Sequence, residues 1–305
     1  MTISVAICTY NGAKYIREQL ESILDQELGV DEIVLCDDGS DDETIDIVCS
    51  IAENNPGVEW NIQINSPNLG VTKNFEKAIG LCNGDIIFLS DQDDVWRKDK
   101  TKMIVEYLDK HPTINVVFTD ASLIDSNGKL LTNHSLLDSV CLIPNMKYWK
   151  QLMFEILAQC NRATGATMAL RRSFIPIFSP MIVHKWCLHD EQITMAACQN
   201  RCLGVIEEKL IYYRQHGKNV IGVPIDNWVY TSGNCPDMLD IIVKPCELKP
   251  YSLRYKNLRM VLYCKRFLFG DSWFNKLKLT LLLPLYWYCY GRYWWRFYRY
   301  DIWRI

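Results

Sequence analysis

Short apolar runs and helical periodicities take turns along the first part of the chain. Ile3 to Cys8 is a β-branched run closed by the turn Thr9-Tyr10-Asn11-Gly12. From Ala13 to Gln26 the apolar residues Tyr15, Ile16, Leu20, Ile23 and Leu24 stand at helical spacing. Glu32 to Cys36 is a second strand, ending on Asp37-Asp38-Gly39-Ser40. Asp41-Asp42-Glu43-Thr44 opens a helix, with acid in the first turn as the helix dipole prefers. A third strand over Val58–Ile64, a turn at Asn68-Leu69-Gly70, a helix over Val71–Cys82 and a fourth strand over Asp85–Leu89 follow. This alternation predicts an α/β domain with a mostly parallel sheet and helices on both faces. Beyond it the spacing predicts a helix over Lys98–Leu108 and a strand over Asn115–Thr119. Asp120–Leu131 reads as a strand with an Asn127-Gly128 hairpin turn, and Ile193–Cys202 as a helix. A last strand starts at Leu210 and runs into a basic polar loop up to Asn219.

Parallel sheets bind ligands beyond the carboxyl ends of their strands. One edge would therefore gather Thr9-Tyr10-Asn11, Asp37-Asp38-Gly39-Ser40 and Asp91-Gln92-Asp93-Asp94, although they are far apart in sequence. The last cluster crowds three carboxylates after a buried strand, where they repel unless a cation sits between them. A solvated polar turn has the same composition. No Gly-x-Gly-x-x-Gly follows the first strand and no Gly-Lys-Ser/Thr loop is present, so a bound phosphate would rely on a metal. Thirteen scattered cysteines without a Cys-x-x-Cys pair read as reduced thiols of a cytosolic protein. The N-terminus has no basic region before its first strand, so no signal peptide is expected.

Together these motifs resemble glycosyltransferase family 2, enzymes of the GT-A fold, over Ile3 to Gly217. The shared pattern is strand-Thr-Tyr-Asn-Gly, Ile-Val-Leu-Cys-Asp-Asp-Gly-Ser, Asn-Leu-Gly, and Gly-Asp-Ile-Ile-Phe-Leu-Ser-Asp-Gln-Asp-Asp. The resemblance implies nucleotide-sugar contacts at Thr9, Tyr10, Asn11, Asp37, Asp38, Gly70 and Asp91, with Asp38 accepting from a pyrimidine imide N–H. It implies Mg²⁺ or Mn²⁺ at Asp91, Asp93 and Asp94. Thr164-Gly165-Ala166-Thr167-Met168-Ala169-Leu170-Arg171 looks like the family's small-residue strand near the donor sugar; a glycine-containing core strand fits equally. The family's base is an acidic residue near a helix start, commonly after Glu, and here Asp190 after His189; an N-cap is the plain alternative. Tyr213-Arg214-Gln215-His216-Gly217 resembles the ending of members that add rhamnose and related sugars to bacterial surface polysaccharides. There His216 would complete the metal shell and Arg214 face the diphosphate; a satisfied loop histidine is the other reading.

Net charge changes the picture at the C-terminal end. Tyr251–Ile305 carries 11 Lys/Arg against Asp271 and Asp301, about +9, while the preceding 250 residues carry 22 Lys/Arg against 34 Asp/Glu, about −12. The same section holds 18 of the 36 aromatic residues, and its apolar run Leu279–Cys289 is broken by Pro284, short of the ~20 residues a spanning helix needs. The expected organisation is a catalytic domain over 1–220, a linker over 221–250 and a helical, aromatic, basic extension over 251–305. That extension suits the inner face of the cell membrane, where a lipid-linked glycan acceptor is found, or a cap on the domain. Nucleic acid is disfavoured by the acidic body. No Gln-x-x-Arg-Trp of processive synthases is present, so single addition with inversion is expected, from a UDP- or dTDP-linked donor. A sugar nucleotidyltransferase, or a non-catalytic nucleotide-sugar-binding scaffold, stays open beside it.

Overall fold

The strands that read as near-continuous apolar runs are buried on both faces. β1 (Ile3–Thr9), β2 (Glu32–Asp37) and β4 (Ile86–Ser90) are buried almost throughout, as parallel strands covered by helices must be. β3 (Glu59–Ile64) is more exposed and forms the edge. The computed structural model describes residues 1–139, 161, 163–183 and 188–216. β5 (Val95–Trp96), β6 (Val116–Ile124), β7 (Leu130–Ser135), β8 (Ala169–Arg171) and β9 (Leu203–Arg214) complete the sheet. The strand order is β3-β2-β1-β4-β8-β6-β9-β5, with β7 paired to β6. β3, β2, β1 and β4 are parallel, as are β6 and β9; β8, β5 and β7 run antiparallel to their neighbours.

The helices are α1 (Ile16–Leu24), α2 (Thr44–Glu53), α3 (Val71–Leu81), α4 (Lys100–Lys110), α5 (Leu136–Ser139), α6 (Ile175–Phe178) and α7 (His189–Gln199). α1 starts later than the periodicity predicts because the Tyr15 and Ile16 N–H groups both turn back to the Gly12 carbonyl. The chain steps from β1 outward to β3, then returns across the sheet to β4. Right-handed crossovers therefore put α1 and α2 on one face and α3 on the other. α1 packs on α2, and α3 packs on β1 and β2. The reversal of direction opens a crevice beyond the carboxyl ends of β1 and β4.

Three expectations change. Thr164–Arg171 is no continuous strand: Gly165–Thr167 forms a 3₁₀ turn, and β8 spans only Ala169–Arg171. The helix expected from Ile193 starts at His189, with Leu188 as its N-cap, so Asp190 stands inside its first turn. β9 begins at Leu203, well before Leu210; its pairing to β6 shifts register at Asp120, which leaves Glu207, Glu208 and Lys209 exposed and hides the alternation. The linker over 221–250, the extension over 251–305 and Gly217 lie outside the described residues. Among the described residues no helix is long and apolar enough to cross a membrane.

Candidate active site

Three loops leave the carboxyl ends of β1, β2 and β4 and are laced together. Gln92 closes a pair of bonds on the backbone of Tyr10, accepting from its N–H at 2.8 Å and donating to its carbonyl at 3.0 Å. Gly12 is required beside it: a Cβ there would come within 2.2 Å of Gln92 Oε1. Asn11, in the left-handed region at φ 50°, donates its N–H to Ser40 Oγ and accepts from Asp41 N–H. Tyr10 is left 53% exposed at the mouth of the crevice. Asp37 is spent on the frame, since its oxygens accept from Thr9 Oγ1 and Ser40 Oγ and from the N–H groups of Gly39 and Ser40.

Asp38 is the anchor of the neighbouring turn. Its Oδ1 accepts from Leu69 N–H at 2.7 Å and Asn65 Nδ2 at 2.9 Å, and its Oδ2 from Gly70 N–H at 2.8 Å. Gly70 takes φ 76°, a conformation that favours glycine. One lone-pair position of Oδ2 is left over by these three bonds.

The acidic cluster divides by environment. Burial, with Asp93 and Asp190 nearby, pushes the Asp91 carboxyl up to about 7. Asp93 Oδ2 lies 2.8 Å from His216 Nε2, and the imidazole stacks on Tyr15 at 5.0 Å. Asp94 is 1% exposed; its Oδ1 accepts from Arg214 N–H, and its Oδ2 has no partner among the described residues. Burial drives its carboxyl well above the usual range. Among the described residues no three His, Cys, Asp or Glu side chains converge as a metal shell. By donor chemistry Asp91, Asp93, Asp94 and His216 fit a hard divalent ion, and the unpartnered Asp94 Oδ2 is the carboxylate oxygen left open for one.

Arg214, expected to face the diphosphate, is a buried bridge in this structure. Its side chain is 1% exposed, and Nε donates to the Asp93 carbonyl at 2.7 Å, Nη2 to Glu18 at 2.6 Å. The guanidinium also sits 4.8 Å from the Tyr15 ring centroid. Asp190 Oδ1 accepts from Glu191 N–H at 2.8 Å, while burial pushes its carboxyl up to about 6, opposed by polar groups of Glu191, Gly165 and Asn161 nearby. Gly165 is tight against this turn, because a Cβ there would meet His189 Nε2 at 2.5 Å. His189 stacks on Phe75 at 3.8 Å, and burial lowers it to about 3, so it is a packed neutral ring.

Two contributors escaped the sequence reading. Lys100 is fully buried, 3.8 Å over the Trp96 ring and donating to the Ala166 carbonyl at 3.0 Å; burial pulls it down to about 7, opposed by Asp94 and Asp91. Its signal was present, since Lys100, Ile104 and Leu108 share one helix face. Gln92 carried none, because an amide inside an acidic turn looks like any other loop residue.

Comparison with known proteins gives consistent relatives. The family model described as Glycosyl transferase family 2 matches residues 4–177, more than half of the chain. An uncharacterized glycosyltransferase of Nostoc sp. is 29% identical over 225 residues, 72% of this chain and 66% of that protein. The dTDP-rhamnosyl transferase RfbG of Shigella flexneri is 28% identical over 232 residues, 72% of this chain and 74% of its own. Among solved structures, S. aureus TarS 1-349 in complex with UDP-GlcNAc superposes with a TM-score of 0.59 at 17% identity, covering 96% of this chain and 80% of that one. That likeness supports the same GT-A fold.

Proposed function

The chain belongs to glycosyl transferase family 2, and from that membership we propose that it moves one sugar from a nucleoside-diphosphate donor to an acceptor hydroxyl, with inversion at the anomeric carbon. The observation that carries this reading is the lacing of the loops after β1, β2 and β4 at the carboxyl edge of the sheet, where Asp91 feels the charges of Asp93 and Asp190. In the proposed reaction Asp190 takes the proton of the acceptor hydroxyl as the oxygen attacks the anomeric carbon. The bond from that carbon to the diphosphate oxygen breaks, and its electron pair leaves with the diphosphate. The Glu191 N–H holds the Asp190 carboxylate for this task. Asp91, Asp93 and Asp94, with His216, are the side chains that would hold Mg²⁺ or Mn²⁺. Such an ion supplies charge neutralisation to the departing diphosphate.

Asp38 is assigned the base of the donor, with Thr9, Tyr10, Asn11 and Gly70 shaping the nucleotide's seat. Similarity to a dTDP-rhamnosyl transferase makes dTDP-rhamnose the first donor to try. A lipid-linked or cell-surface polysaccharide is the proposed acceptor, met at the inner face of the membrane. The test is a panel of radiolabelled nucleotide sugars, including dTDP-rhamnose and UDP-GlcNAc, offered with a glycan acceptor to the wild type and to Asp190→Asn. The substitution should cut turnover by about 10²–10⁴-fold and leave UDP binding intact. Undiminished turnover in Asp190→Asn would remove the base assignment.

A further inference from the structure

Behind Asp38 lies a row of side chains whose hydrogen bonds all point one way. Lys77 Nζ is 2.7 Å from Asn65 Oδ1. A lysine head group only donates, so this contact fixes which end of the Asn65 amide faces it. The Asn65 NH₂ is thereby turned to Asp38 Oδ1 at 2.9 Å and to Asn74 Oδ1 at 2.7 Å. Asn74 Nδ2 in turn donates to the Cys36 carbonyl at 2.8 Å, a group that only accepts. Neither amide reverses without losing bonds, and both are buried, where an unpaired polar group is costly. The Asn65 backbone is held too, its N–H bonded to the Asp37 carbonyl.

We propose that Lys77 is a positioning residue for donor specificity: through Asn65 it locks Asp38 as a reader that meets the base only as an acceptor. The inference rests on the reading above that Asp38 contacts the base. A site locked in this way takes a base that offers an imide N–H at N3, as uracil and thymine do. It rejects cytosine, which places an acceptor there. Without the lysine the Asn65 amide is held only through its NH₂, by Asp38 and Asn74, and nothing engages its oxygen; any reversal sets two acceptors against each other at Asp38 and weakens the lock.

The test is calorimetric titration of the full chain with UDP and with CDP. Wild type is expected to prefer UDP. Lys77→Met, which keeps the apolar stem but removes the donor, should lower that preference about tenfold, in line with loss of a hydrogen bond to a charged group. Lys77→Glu accepts from Asn65 and imposes the reversed amide, so it should lower the preference at least as far. Lys77→Arg keeps a donor and should hold the preference within about twofold, since the locking bond is retained. A merely structural lysine would weaken both nucleotides alike and leave their ratio unchanged; that result overturns the proposal. The underlying reading fails separately, if wild type shows no UDP preference or if Asp38→Ala keeps it.

Discussion

Asp190 owes its usefulness to desolvation. A carboxyl with an ordinary titration point would be a weaker base, and burial lifts this one to about 6 while the Glu191 N–H keeps it aimed. A base and a metal ligand both work deprotonated, so kcat/KM should fall in acid as Asp190, at about 6, and Asp91, at about 7, take up protons, and should level off only above the higher of the two. Glu191, next in sequence, is pushed up to about 8 by burial and by Asp190, and so is neutral where Asp190 titrates. Glu191→Gln should therefore leave the acidic limb where it is, and a limb moved by that substitution would assign it to the pair. The metal assignment is tested beside it. Asp93→Ala should abolish the metal-dependent part of UDP binding, read by calorimetry with and without Mn²⁺. Retention of that metal-dependent increment would remove Asp93 from the shell.

At the scale of elements, the first turn of α1 and the end of β9 brace the acidic loop after β4 through Arg214. The guanidinium is fully buried while its partner Glu18 is about half exposed. The two ends of this pair are therefore unequal. Glu18→Ala removes a water-screened charge and should cost at most about 1 kcal/mol. Arg214→Ala also abandons the Asp93 carbonyl and the Tyr15 ring, and should cost roughly 3–5 kcal/mol. For a domain of this size that separates a fall in melting temperature of a few degrees from one of about 6–20 °C. Equal losses in the two variants would show that Glu18, and not the buried bridge, holds the loop. This bridge was beyond the sequence for a physical reason: it joins residues 196 positions apart, and periodicity reports only neighbours. The strands β1, β2 and β4 and the helices between them were legible because each buries a regular face. β9 was half hidden, since the bulge opposite Asp120 turns three charged residues outward in mid-strand. The turn at Gly165 was misread because glycine in an apolar run suits a strand, while its role here is to admit His189. Asp38 was found at its place, but the row of amides that orients it joins β2, the residue after β3, and α3 only in the folded chain.

For the whole molecule the strongest asymmetry is electrostatic. A section near +9 follows a body near −12, and that section holds half of the aromatic residues. We propose that residues 251–305 dock on an anionic membrane surface, which brings the catalytic domain to a lipid-linked acceptor. Each Lys or Arg near such a surface contributes roughly 1 kcal/mol, and rings buried at the headgroup level add to this. The electrostatic part is screened within a Debye length of ~8 Å at physiological salt, so binding should weaken at high salt. It should not vanish there, because the aromatic part is insensitive to screening. Asp190, Asp91 and Asp93 lie outside the section, so turnover with a soluble acceptor should survive its removal. The comparison is co-sedimentation with anionic and with neutral vesicles, using the full chain and one truncated after Pro250. The melting temperature of each form checks that the catalytic domain remains folded. The full chain alone should pellet with anionic vesicles at low salt, less so at high salt. Equal pelleting of both forms, or of neither, would overturn the docking role of the section and make a cap on the domain the better reading.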